Sequence, residues 1–178
     1  MGAVFLSSPA RIFESKGRSM NGVHEYAVRV EWTGNRGTGT SHYKAYGRDH
    51  LISPAGRASA EKVPILGSSD PTFHGDNDRW NPEELLLAAL SQCHLLSYLH
   101  VAVRNGVTVT AYTDAPVGTM EQVAGGGHFT AVTLRPRVTI TDPEQVEFAQ
   151  SLHAEAALEC FIAASVNFPV GHEPVTVA

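Results

Sequence analysis

The chain has 178 residues, 43% of them hydrophobic and 17% charged, with a formal net charge of −5. That is enough for one domain with a real core and too little for two full ones. The acidic balance offers no broad basic field for nucleic acid or an anionic membrane, and no apolar run approaches the roughly 20 residues that span a bilayer.

Residues 1–19 contain one short apolar block, Ala3-Val4-Phe5-Leu6, too short for the core of a signal peptide. They are expected to be a leader or disordered extension, with the domain occupying residues 20–178. From His24 to Trp32 apolar and charged residues alternate, which predicts a half-buried strand. The glycine- and asparagine-rich turn from Gly34 to Gly39 follows, then a second strand over Ser41–Tyr46 and a third over Glu61–Leu66. Ser68 to Trp80 reads as a polar loop.

The clearest helix begins at Asn81, a good N-cap, with Pro82 in the first turn and Glu83-Glu84 at the positive end of the dipole. Apolar residues at three- and four-residue spacing carry it through Cys93 to Asn105-Gly106, and they cover most of its circumference. Val107–Tyr112, Gly118–Val123 and His128–Ile140 predict an antiparallel meander. A second helix is expected from Asp142-Pro143 to Ala164, with His153 and Cys160 on its apolar face and Pro169 as its stop. Pro174–Ala178 is a final edge strand. Strand blocks separated by two long helices define an α+β fold.

The two cysteines lie 67 positions apart. No export signal accompanies them, so a cytoplasmic setting that keeps thiols reduced is expected, with oxidation as chemistry and not a permanent staple. Both lie on apolar helix faces, where small, inert core residues are the competing reading. The nine histidines show no Cys-x-x-Cys or His-x-x-x-His pattern, so no metal site is expected. His100 and His153 read as core-edge or hydrogen-bonded side chains. A thiol hydrolase pairing Cys93 with His94 or His153 stays open, because triads assemble in space.

The stretch Asn81-Pro82-Glu83-Glu84-Leu85-Leu86, followed by Ala88-Ala89-Leu90-Ser91-Gln92-Cys93, resembles the signature of the OsmC/Ohr hydroperoxide-reductase family. Leu152-His153-Ala154-Glu155-Ala156 leading to Glu159-Cys160 is similar to that family's second-cysteine helix, and the turn from Trp32 to Thr40 is similar to its N-terminal hairpin. The resemblance runs from about Tyr26 to the C-terminus. It implies antiparallel sheets packed around two long helices in an intertwined homodimer. It also implies a thiol peroxidase that reduces organic hydroperoxides without a cofactor, Cys93 being the attacking thiolate and Cys160 its resolving partner. An external dithiol or a lipoylated protein would restore the pair.

The same resemblance assigns Glu83 to orienting an arginine that activates Cys93. Arg48 is the preferred arginine, with Asp49 expected to fix it; Arg36 is the alternative and Arg79 the third choice. Ten residues of helix rise about 15 Å, so Glu83 reaches the thiol only through a long arginine or across a subunit boundary. Leu90, Leu95, Leu96 and Phe161 are expected to line the thiol site and favour an apolar substrate tail. The competing function is a non-enzymatic binding module whose cysteines merely pack.

Overall fold

The computed structural model describes residues 22–55 and 62–178. The expected leader, and the expected domain start at residue 20, lie outside the described residues. Among the described residues nine strands form three small sheets, accompanied by two α-helices.

The first sheet joins β1 (Val28–Trp32), β2 (His50–Pro54) and β3 (Ile65–Gly67) in sequence order, all antiparallel. The expected second strand is not where the sequence reading put it: residues 41–46 are turns, and the strand that pairs with β1 starts at His50. The reason is a long hairpin loop that closes on itself. Thr33 N–H donates to Asp49 O, Gly47 N–H to Gly34 O, and Trp32 Nε1 to Gly47 O, at 2.8 Å each. Arg48 donates to the carbonyls of Tyr46 (2.7 Å) and Tyr43 (2.9 Å), consuming groups that a ladder would need. A side chain at Gly34 would place its Cβ 2.1 Å from Gly47 O, so this crossing requires glycine. β3 covers only the end of the expected third strand, whose first residue lies outside the described residues. β1 is also not half-buried. All five of its residues are exposed, whereas those of β2 beside it are partly buried.

Helix α1 (Pro82–Arg104) starts as the sequence indicates. Asn81 Oδ1 accepts from Glu84 N–H (2.8 Å) and Glu84 Oε2 accepts from Asn81 N–H (3.1 Å), a full capping box in which Glu84 has a role beyond the dipole. Against the expectation that no apolar run approaches the length of a bilayer span, α1 is, among the described residues, long and apolar enough to cross a membrane. Within the protomer its buried residues include His94 and Tyr98, held against the second helix.

The strands after α1 do not form the expected simple meander. β4 (Val109–Thr113) pairs with β7 (Arg137–Ile140), and β9 (Val175–Val177) adds to β7 in parallel. β5 (Val117–Val123) and β6 (Gly126–Leu134) form a hairpin, to which β8 (Val170–His172) adds in parallel. Pro136 separates β6 from β7, so the single expected segment from His128 to Ile140 is divided between two sheets. The C-terminal strand does lie at an edge, beside β7.

Two clusters make the core. Tyr98, Val101 and Ala102 of α1 pack with Val138, Ile140 and with Ala149, Leu152 and Ala156 of helix α2 (Val146–Leu158). Leu90, nearer the start of α1, packs with Val132 and Leu134 of β6. Helix α2 ends at Leu158, well before Ala164, so Cys160 lies beyond the helix and not on its face. Its end is held from outside: Ser97 Oγ donates to Glu159 O (3.3 Å), and Arg104 reaches Glu155 and Glu159. The Ser97 bond satisfies a carbonyl at the helix end that would otherwise lack a partner there.

Candidate active site

Cys93 sits in the middle of α1, between Leu90 of one core cluster and Tyr98 of the other. Cys160 comes from the turn after α2 and is 2% exposed. Both are free thiols, and they are close enough for Cys93 to raise the Cys160 thiol. The backbone N–H of Ile162 donates to Cys93 Sγ at 3.5 Å. Two sulfurs that are 67 positions apart in sequence therefore share one small site.

Burial, and then contact with Cys93, push the Cys160 thiol up to about 11 from its ordinary 9.0, while the amides of Ala163 and Ile162 pull it the other way. A buried thiol stays protonated unless hydrogen bonds or positive charge repay its desolvation. Around this pair the expected apolar lining is only partly present. Leu96 (64% exposed) and Phe161 (75%) stand in the open, as do Leu158 and Val103. Leu90 instead belongs to the core, and Leu95 faces a different hollow with Trp80 and Tyr112.

Glu83 is one of the lining residues of a cavity of about 520 Å³ with Asp70, Thr72, Phe73, Met120 and Glu121. Its Oε2 is buried without a hydrogen-bond partner. A buried carboxylate oxygen left in that state is costly. No guanidinium among the described residues satisfies it.

The candidate arginines lie elsewhere in the protomer. Arg48 is clamped between the rings of Tyr43 (4.4 Å) and Tyr46 (4.3 Å). With Arg36, Lys44 and His74 it lines a cationic hollow. That hollow and the Glu83 cavity flank the same short turn, Pro71–His74: Thr72 and Phe73 face the acidic side and His74 the basic one. Asp49 pairs with Arg79 at 3.7 Å and not with Arg48 as expected, the Arg48 guanidinium being already held by its two tyrosines. The described residues of the protomer thus bring together Cys93 and Cys160, and leave Glu83 and the arginines apart from them.

His94 and His153 are each 1% exposed and joined by an Nε2–Nδ1 hydrogen bond of 3.0 Å. Tyr98 stacks on His153 with ring centroids 4.0 Å apart, and its hydroxyl donates to Ala149 O. The hydrogen-bonded reading of His153 holds, whereas His100 is exposed and not at a core edge. The imidazole pair fastens α1 to α2, and no described contact links either ring to a sulfur. The sequence reading missed this pair; a histidine on the apolar face of each helix was the only available signal. The described residues hold no cluster of His, Cys, Asp and Glu able to bind a metal.

An α+β protomer in which a long apolar helix and a turn after a second helix present two adjacent free thiols defines a class of thiol protein. The chain belongs to the OsmC-like protein family, whose model matches residues 75–173, more than half of its length. The fold agrees with solved structures. An OsmC-like protein of unknown function from Vibrio cholerae superposes with a TM-score of 0.74 at 29% identity, over 86% of this chain and all of that one. An organic hydroperoxide resistance protein from Elizabethkingia anophelis gives 0.61 at 16% identity, covering 89% of this chain and 99% of that one. One from Legionella pneumophila gives 0.62 at 14%, covering 88% and 98%. No curated protein matches the chain.

Proposed function

We propose that this protein is a thiol peroxidase that reduces organic hydroperoxides through a Cys93–Cys160 disulfide cycle. The observation that carries the reading is that the two free thiols share one site, Ile162 of the Cys160 turn donating to Cys93 Sγ, with Cys160 buried. Cys93, the more accessible sulfur, attacks the peroxide and becomes a sulfenic acid. Cys160 condenses with it to form the disulfide and release water, and an external dithiol or a lipoylated protein in the cytoplasm returns the pair to thiols.

Activation of Cys93 falls to an arginine held by Glu83, with Arg48 the first choice and Arg36 the second. Two features favour its delivery by a second copy in a homodimer. The first sheet exposes Val28, Val30, Trp32, Ile65 and Leu66, and α1 and the thiol turn expose Leu96, Val103 and Phe161, apolar side chains that a second copy would cover. The acidic Glu83 cavity and the cationic Arg36–Arg48 hollow are also complementary in charge. Light scattering on an eluting size-exclusion peak at micromolar concentration is expected to give twice the chain mass. A single-chain mass would remove the partner's arginine from the scheme.

The peroxidase itself is tested by mass spectrometry after one equivalent of cumene hydroperoxide. The expected product is a Cys93–Cys160 cross-link formed within the mixing time. Two intact thiols after incubation would reject the enzyme reading in favour of a binding module.

A further inference from the structure

The early end of α2 frees a donor. Had the helix run to Ala164, Ile162 N–H would be spent on the carbonyl of Leu158, four residues back. Instead the chain turns at Cys160, whose N–H reaches Ala157 O at 3.4 Å, and a short turn over Ala163–Ser165 follows. Ile162 N–H finds no carbonyl acceptor among the described residues. It donates to Cys93 Sγ at 3.5 Å and, two residues on from Cys160 in the same turn, it also pulls the Cys160 thiol down.

We propose that the backbone amide of Ile162 is a positioning group that stabilises the thiolate on each sulfur in turn, first on Cys93 and then on Cys160. The proposal rests on the peroxidase reading above and assigns a part in it to a residue with no reactive side chain. In the first step a lone pair of the Cys93 thiolate attacks one peroxide oxygen. The S–O bond forms, the O–O bond breaks, and the alkoxide leaves as the alcohol after taking a proton; sulfur is oxidised by two electrons and the peroxide is reduced. In the second step the Cys160 thiolate attacks Cys93 Sγ. The S–S bond forms, the S–O bond breaks, and hydroxide takes a proton and leaves as water.

Negative charge therefore begins on one sulfur and must reappear on the other. A hydrogen bond to an anion is about twice as strong as one to a neutral group, so a shared amide follows the charge. Once Cys93 is a neutral sulfenic acid it competes less for that N–H, which then favours ionisation of Cys160 at the moment Cys160 must act. The buried thiol is otherwise poorly placed to ionise, since its surroundings offer a second amide, that of Ala163, and no described cation.

Proline at position 162 removes the N–H while fitting the local backbone, where φ is −70°. Ile162→Pro is compared with Ile162→Ala, which trims the side chain and keeps the donor. In full-length protein, iodoacetamide alkylation of Cys93 at pH 7 is expected to slow about tenfold in Ile162→Pro, with its pH–rate profile moved to higher pH. Ile162→Ala should stay within about twofold of the parent. After one equivalent of cumene hydroperoxide, Ile162→Pro should also accumulate a dimedone-trappable sulfenic acid.

Equal alkylation profiles for the two variants would overturn the proposal. If the proline variant does not fold, the parent protein supplies the test: the Ile162 amide proton resonance should titrate together with Cys93 alkylation and stop doing so in Cys93→Ser. A resonance that ignores pH in both would equally overturn it. Alkylation and amide titration need no peroxide, so they judge the amide even where the peroxide experiment rejects the enzyme.

Discussion

Cys93→Ser is expected to abolish peroxide consumption, lowering the rate by a factor on the order of 10³ or more, while Cys160→Ser retains the first oxidation and loses the disulfide. The asymmetry follows from where the sulfurs sit. Cys93 is partly accessible from the surface, whereas Cys160 is 2% exposed and its thiol is pushed up to about 11. A peroxide meets Cys93 first and finds in Cys160 a largely protonated, shielded thiol. With Cys160 replaced, the Cys93 sulfenic acid should persist long enough for dimedone to capture it in stoichiometric yield. With Cys93 replaced, no adduct should form at either position. Stopped-flow peroxide consumption and mass spectrometry of the adducts check both arms. Equal loss of the first oxidation in the two variants would reverse or dissolve the assigned roles.

Much of this arrangement is legible in the chain, and the misses share a cause. The start of α1 is written in local chemistry, an asparagine cap, a proline in the first turn and two glutamates, and the structure follows it. The first hairpin and the end of α2 are set by contacts from distant segments. Arg48 takes the carbonyls of Tyr43 and Tyr46 out of any ladder. Ser97, far away in sequence, donates its hydroxyl to the Glu159 carbonyl and lets the chain leave the helix. Periodicity cannot register such bonds, because nothing repeats. The parallel additions of β8 and β9 escape for a similar reason: each pairs with a strand more than thirty residues earlier in the chain. As for the site, the family resemblance brings Cys93 and Cys160 forward together. The released amide of Ile162 belongs to a residue with an inert side chain, and only the fold brings it to the sulfurs.

Lowering the pH should destabilise the fold steeply between about 6.5 and 4, and the buried imidazole pair should be the main cause. Burial, together with the neighbouring His172, depresses His94 to about 4, while Asp114 opposes the shift; burial and then His94 and His172 depress His153 to about 3. The ordinary value for both is 6.5. A depressed folded-state value means that the unfolded chain binds protons which the native state refuses. Stability is therefore complete above about pH 6.5 and falls as the pH drops towards the folded values. At about 1.4 kcal/mol per unit, either ring alone is worth roughly 3 kcal/mol by pH 4, a large share of a typical domain's stability. Urea midpoints at pH 7.5, 6, 5 and 4 measure the slope. Carboxylates also titrate near the lower end, so the double variant His94→Phe/His153→Leu isolates the pair. Removing both hydrogen-bonding partners leaves no orphaned polar group, whereas a single replacement strands the other ring. The double variant should hold its urea midpoint nearly flat between pH 7 and 5, where the parent already weakens. Parallel profiles for parent and double variant would move the acid sensitivity away from the junction between the two helices.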